Sequence, residues 1–275
     1  LSPSPPEVEE EPEALPEHLG GAPEVPARPE AAVEETEAET GEIPPEGQEP
    51  PVAPAVPAPE AEGALEPVPK FAYITIDDGP DPVNTPAILS ILDHYNVKAS
   101  FFVLGASAEK YPELIRLIHD KGHAVGNHTY NHVYHETYAS DESFWESVKK
   151  TEEILYQLLA YRPTLLREPG GRFRTDPEKQ RGIREQGYDL VYWNVDSYDS
   201  RSPIPDKDTI LANVVRQAQK EHLWPAMVLL FHESGGHGST VEALPLVIEY
   251  LLQEGFTLRT LAEMDKAVMA DLPKP

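Results

Sequence analysis

The chain has 275 residues and a formal net charge of −26 at pH 7, which is length enough for one large domain or two small ones. Its acidity argues against a nucleic-acid partner, because phosphate contacts need basic residues. The lack of cysteine removes disulfides and thiol redox chemistry, and no apolar run reaches the roughly eighteen residues a membrane span needs.

Charge is unevenly placed. Residues 1–70 hold 18 of the 48 acidic residues, Arg28 and Lys70 as their only bases, 17 of the 30 prolines and no aromatic residue. Such a segment cannot bury enough apolar surface to offset its ordering entropy. Residues 1–68 are therefore expected to be a disordered, acidic, Pro-rich linker, acting as a spacer from an anchoring surface. The folded domain is expected over 69–268, with 269–275 as a short tail. A chain that opens at Leu1 rather than at methionine fits a removed upstream signal or anchor. Together with the linker, this is compatible with export from a bacterium, and equally with other settings.

From residue 71 short apolar runs alternate with amphipathic stretches. Residues 71–76 read as a strand, and 85–95 as a helix carrying Ile88, Leu89, Ile91, Leu92 and Tyr95 at helical spacing. Strand 99–104 follows, then helix 112–121 closed by Gly122, and a short strand at 123–126. A long helix is expected over 140–159, opened by Ser140. Next come strand 164–167, helix 176–186, strand 190–195, and helix 206–220 capped by Asp206 or Asp208. Strand 226–232, helix 241–253 and strand 256–259 complete the pattern. Repeated βα units mean a parallel sheet. About seven of them in about 200 residues predict an α/β fold, a closed or nearly closed distorted (β/α)7-8 barrel.

Polar residues collect at the C-terminal ends of these strands: Asp77 and Asp78, His128, Arg167, Asp196 and Asp199, and His232. Barrel enzymes build their sites at that face. Asp78, His128 and His132 make a carboxylate–bis-imidazole set with room for further ligands. If the loop after Gly126 takes one helical turn, the two imidazoles share a face. The mixed N/O set suits one divalent ion, zinc first, with cobalt, nickel or iron also fitting. Asp77 is the candidate general base for an attacking water, and Arg167 its orienting partner. His232 is the candidate general acid, with Asp199 raising its pKa. Gly170 offers a backbone N–H to an oxyanion. Trp193 is a candidate cleft residue, although core packing is the commoner role for an aromatic in a strand. His18, His94, His119, His123, His135, His222 and His237 are read as ordinary histidines, the least secure being His135 and His237 because they lie near the candidate site.

The order of motifs resembles the polysaccharide deacetylases of carbohydrate esterase family 4, the NodB-homology domain, over residues 71–264. The motifs are Thr75-Ile76-Asp77-Asp78-Gly79-Pro80, His128-Thr129-Tyr130-Asn131-His132, Arg167-Glu168-Pro169-Gly170-Gly171, the Asp196–Asp199 aspartates, and Leu230-Phe231-His232. The resemblance implies the roles assigned above, a distorted barrel, a zinc-like ion and an N-acetylated glycan substrate such as peptidoglycan or chitin, with Leu230 as a substrate contact. Pro169-Gly170-Gly171 looks like the pattern of Gram-positive members, which implies an extracellular or cell-surface, Gram-positive-like bacterial setting, and a monomer is expected. Gly170 and Ser200 depart from the aromatic residues the family often has there, which would widen the acyl pocket. Removal of N-acetyl groups from N-acetylglucosamine in peptidoglycan is the leading expectation. The alternatives are a chitin-oligomer deacetylase or acetylxylan esterase, a catalytically silent glycan-binding barrel, and a non-haem iron oxygenase. The last gives no reason for Asp77, Arg167 and His232 together.

Overall fold

The structure, a computed structural model, describes residues 68–275; the expected linker at 1–68 lies, but for residue 68, outside them. In chain order the elements are β1 (Phe71–Gly79), α1 (Asn84–His94), β2 (Ser100–Val103), α2 (Gly105–Lys110), α3 (Pro112–Asp120), β3 (Ala124–Asn127), α4 (Tyr134–Thr137) and α5 (Asp141–Leu159). There follow β4 (Leu165–Leu166), α6 (Pro177–Glu185), β5 (Asp189–Leu190), β6 (Val195–Asp196), α7 (Lys207–Ala218), β7 (Met227–His232), α8 (Gly238–Gln253), β8 (Thr257–Leu258) and α9 (Lys266–Ala270). Ser140 caps α5 by accepting from Ser143 N, and Asp206 rather than Asp208 caps α7 by accepting from Thr209 N.

All strand pairs are parallel, in the order β5-β4-β3-β2-β1-β7-β6, with β8 also against β1. The run expected as one strand over 190–195 is instead two short strands on opposite edges of the sheet. Residues 191–194 carry the chain from one edge to the other, so the sheet curls into a distorted barrel. Backbone and side-chain bonds of Asn194 extend the β6–β7 pairing at the end of this crossing. Asn194 N donates to Val228 O at 3.1 Å, Asn194 Oδ1 accepts from Val228 N at 2.8 Å, and Asn194 Nδ2 donates to Ala226 O at 2.9 Å. A periodicity reading cannot see this, because an apolar run looks the same whether it pairs with one neighbour or two.

Strand alternation sorts the core into two layers. Ile74, Ile76, Phe101, Leu229 and Phe231 face outward, under Ile88, Leu92, Ile115 and Val247 of the helices. Tyr73, Phe102, Val191 and Val228 face inward, and with Leu261, Met264 and Met269 fill the barrel interior. Residues 269–275, expected as a tail, pack on the barrel: Met269 is buried and Pro273 O accepts from Asn194 Nδ2 at 3.1 Å. Among the described residues no helix is long and apolar enough to cross a membrane.

Candidate functional site

On β1 the inward row runs Tyr73, Thr75, Asp77. Strict alternation would send Asp78 outward. Instead the register against β2 slips between Asp77 and Gly79, and Asp78 takes a left-handed backbone at φ 72°. That bulge re-aims the second carboxylate into the site, a strain tolerated only where surrounding structure enforces it.

The loop carrying the two histidines is not the helical turn expected. Thr129 at φ 66° and His132 at φ 56° bend it by left-handed steps, and those bends bring the imidazoles together. The loop is pinned from below: Gly105 N donates to Thr129 O at 3.0 Å and Ala106 N to Tyr130 O at 2.8 Å. His128 Nδ1 donates to Arg167 O at 2.7 Å, which leaves Nε2 as the free ligand atom.

Asp78 Oδ1 lies 3.3 Å from His128 Nε2 and 3.7 Å from His132 Nε2. It is buried and accepts no hydrogen bond. One ligand atom from each of the three residues fits within 4.8 Å of the others. A buried, unsatisfied carboxylate oxygen facing two imidazole nitrogens is the donor set of a divalent cation, so these residues fit the expected ion. Burial pulls the Asp78 carboxyl upward, but the neighbouring imidazoles hold it well below the usual carboxylate range.

Arg167 is wholly buried, projecting from the end of β4 into the barrel. Its Nη1 donates to Asp77 Oδ1 at 2.8 Å and to Thr75 Oγ1 at 2.7 Å, and its Nε donates to Val191 O at 3.2 Å. The guanidinium lies 4.2 Å from the Phe102 ring centroid. Asp77 is thus fixed at one oxygen, while its other, Oδ2, stands 3.7 Å from His128 Nε2. Thr75 was absent from the sequence reading, although its place two residues before Asp77 puts it on the same face.

His232 is the register partner of Asp77 across β1 and β7. Asp199, fully buried, holds it twice: Oδ1 lies 2.7 Å from His232 Nδ1, and Oδ2 accepts from His232 N at 2.7 Å. Thr240 Oγ1 donates to the same Oδ2 at 2.8 Å. Burial opposes the charged imidazole, but the Asp199 hydrogen bond and charge outweigh it, with Asp77 and Asp78 adding to them, and the pKa is pushed up to about 9. A proton donor with a raised pKa keeps its proton until the pH passes that value, so donor-dependent activity falls as pH rises through it. Asp199→Asn removes the carboxylate and lowers the His232 pKa. The alkaline limb of a kcat/KM pH profile is expected to move down by about a unit or more.

Pro169, Gly170 and Gly171 form a 3-10 turn in which Gly170 is left-handed at φ 71°. Glu168 braces it, accepting from Arg172 N at 2.7 Å and Phe173 N at 2.8 Å, and Tyr138 OH donates to Glu168 Oε2 at 2.9 Å. Trp193 is half-buried, its ring 3.2 Å from where a Cβ on Gly171 would stand and 5.7 Å from the Arg167 guanidinium carbon. Leu230 lies on the inward face of β7, two residues before His232, and is buried. Ser200 is exposed, and Asp196 caps its own turn by accepting from Tyr198 N at 2.8 Å.

Two residues beside the site were unforeseen. Glu233 is fully buried under Gly79, its carboxyl taking a hydrogen bond from Thr85 Oγ1 at 2.6 Å, and burial raises its pKa to about 8. Tyr134 packs edge-on against His132, with centroids 5.2 Å apart. Neither carries a sequence signal: one follows the histidine of a motif, and the other sits in a polar stretch.

Comparison with known proteins gives this arrangement a lineage. The family model for polysaccharide deacetylase matches residues 65–191. A peptidoglycan-N-acetylglucosamine deacetylase of Bacillus cereus is 39% identical over 193 residues, covering 70% of this chain and 66% of that protein's own length. A second Bacillus cereus protein of the same name is 31% identical, over 71% of this chain and 88% of that protein. The crystal structure of the Bc1960 peptidoglycan N-acetylglucosamine deacetylase superposes with a TM-score of 0.65 at 37% identity, covering 72% of this chain and 89% of that one. Similarity of this extent, running through a whole relative and not one motif, means that the chain belongs to the polysaccharide deacetylase family.

Proposed function

We propose that this chain is a metal-dependent N-deacetylase of cell-wall polysaccharide, releasing acetate from N-acetylglucosamine residues of peptidoglycan outside the bacterial cell. The observation that carries the reading is the coincidence of a carboxylate held by a buried arginine with an aspartate-backed histidine directly across the ladder, both beside the Asp78–His128–His132 set. An amide hydrolase needs one group to take a proton from water and another to give one to the departing nitrogen.

Asp78, His128 and His132 would hold the ion, zinc by preference for this donor set. When bound, it polarises the acyl oxygen and acidifies water. Asp77 takes the proton of the attacking water with the oxygen that Arg167 leaves free. His232 gives its proton to the amide nitrogen as the C–N bond breaks, so the products are acetate and the free amine. Among the described residues the Gly170 N–H makes no hydrogen bond, which leaves it to donate to the developing oxyanion.

The test is acetate release from purified peptidoglycan and from N-acetylglucosamine oligomers, by protein stripped of metal and then refilled with zinc or cobalt. Stripping is expected to abolish release and refilling to restore it, with peptidoglycan the better substrate. No acetate from either, with metal tightly bound, would overturn the reading in favour of another acyl substrate, such as acetylxylan.

A further inference from the structure

Gly170 leaves room for a side chain, and that room is not empty. A Cβ built on Gly170 would stand 2.4 Å from the Tyr134 hydroxyl oxygen and 3.2 Å from the adjoining ring carbons. Tyr134 comes from a different element, the first turn of α4, and reaches over to the turn at 169–171. Its ring is set by two contacts, one of them anchored in turn. Its edge meets His132; Tyr138 backs it at a centroid distance of 5.8 Å; and Tyr138 is itself anchored, donating to Glu168 Oε2 and to Pro169 O at 2.8 Å. The ring is therefore held against the same turn that presents Gly170. Yet 47% of Tyr134 is exposed, and its hydroxyl finds no hydrogen-bond partner among the described residues. Two donors without a partner among the described residues, a phenolic O–H and the Gly170 N–H, thus lie close together beside a prospective metal ligand.

We propose that Tyr134 is a catalytic residue whose hydroxyl donates a hydrogen bond to the acyl oxygen, acting with the Gly170 N–H as a two-donor oxyanion site. This rests on the N-deacetylase reading above. A donor fixed in place before reaction stabilises charge where it develops, without reorganising at that moment. Gly170 is then matched to Tyr134, since any side chain at 170 would push the hydroxyl aside.

Tyr134→Phe is the test, because it removes only the oxygen and keeps the ring against His132. Acetate release is measured with wild type and variant, together with zinc affinity and thermal melting. The expected result is a kcat lower by roughly 10²-fold, with KM within about twofold, and with zinc affinity and melting unchanged. A kcat near wild type overturns the proposal. So does a raised KM at unchanged kcat, which would mean equal binding in the ground and transition states. Weakened zinc binding overturns it too, because the ring would then act through His132. If the wild type itself releases no acetate, the deacetylase reading falls and this inference with it. An active wild type with an equally active variant removes this inference alone.

Discussion

Asp77→Asn is expected to lower turnover by roughly 10²–10⁴-fold while zinc still binds. The substitution keeps an oxygen for Arg167 Nη1 and leaves Asp78, His128 and His132 in place, so what disappears is basicity. Acetate release under saturating zinc, set beside zinc affinity from a competition titration, separates the two effects. A variant with near-normal rate would remove Asp77 from the role of base; one that no longer bound zinc would make it a ligand. Stability also falls, because a buried guanidinium loses its counter-charge, so rates are compared well below the variant's melting temperature.

Arg167→Met carries the second large effect, and it acts from the other side of the same pair. Both partners are nearly sealed from water, with side-chain exposures of 0% for Arg167 and 4% for Asp77. Removing the cation strands a carboxylate in the barrel interior and leaves Thr75 Oγ1 without its donor. Denaturant unfolding is expected to show a loss of about 3–5 kcal/mol. Turnover is expected to collapse too, since Asp77 loses the guanidinium that fixes one of its oxygens and aims the other. The double variant Asp77→Asn/Arg167→Met should cost less than the two singles added together, because no lone charge remains buried. Strict additivity would mean that the two residues act independently.

Much of this site was legible before any coordinates. Strand-end carboxylates, a spaced histidine pair and an arginine beyond a third strand are signals of residue type and spacing, and those survive in sequence. Asp206 as a cap and Ser140 as a helix opener were readable for the same reason: each acts on its own neighbours. The geometry that joins the site was hidden. The bulge that turns Asp78 inward and the left-handed bends at Thr129 and His132 are backbone choices made by non-glycine residues, which sequence chemistry would not assign to them. The split of 190–195 into two edges was invisible because both halves satisfy the same apolar pattern. Thr240 and Tyr134 each reach the site from a helix start, and only tertiary packing brings them there.

The place of β1 in the sheet has a consequence for how the protein comes into being. It is an inner strand, paired on one side with β2 and on the other with β7, with β8 at its beginning. Those later partners, Met227–His232 and Thr257–Leu258, are synthesised only after β2–β6. A nascent chain thus carries Asp77, Asp78 and both imidazoles long before β1, the strand that bears the two aspartates, has its second neighbour. Contacts of such long sequence separation slow folding, because loop closure precedes the reward. The packed geometry of the Asp78–His128–His132 set is therefore expected late, and a chain cut short before Met227 would hold those three residues without the walls that aim them.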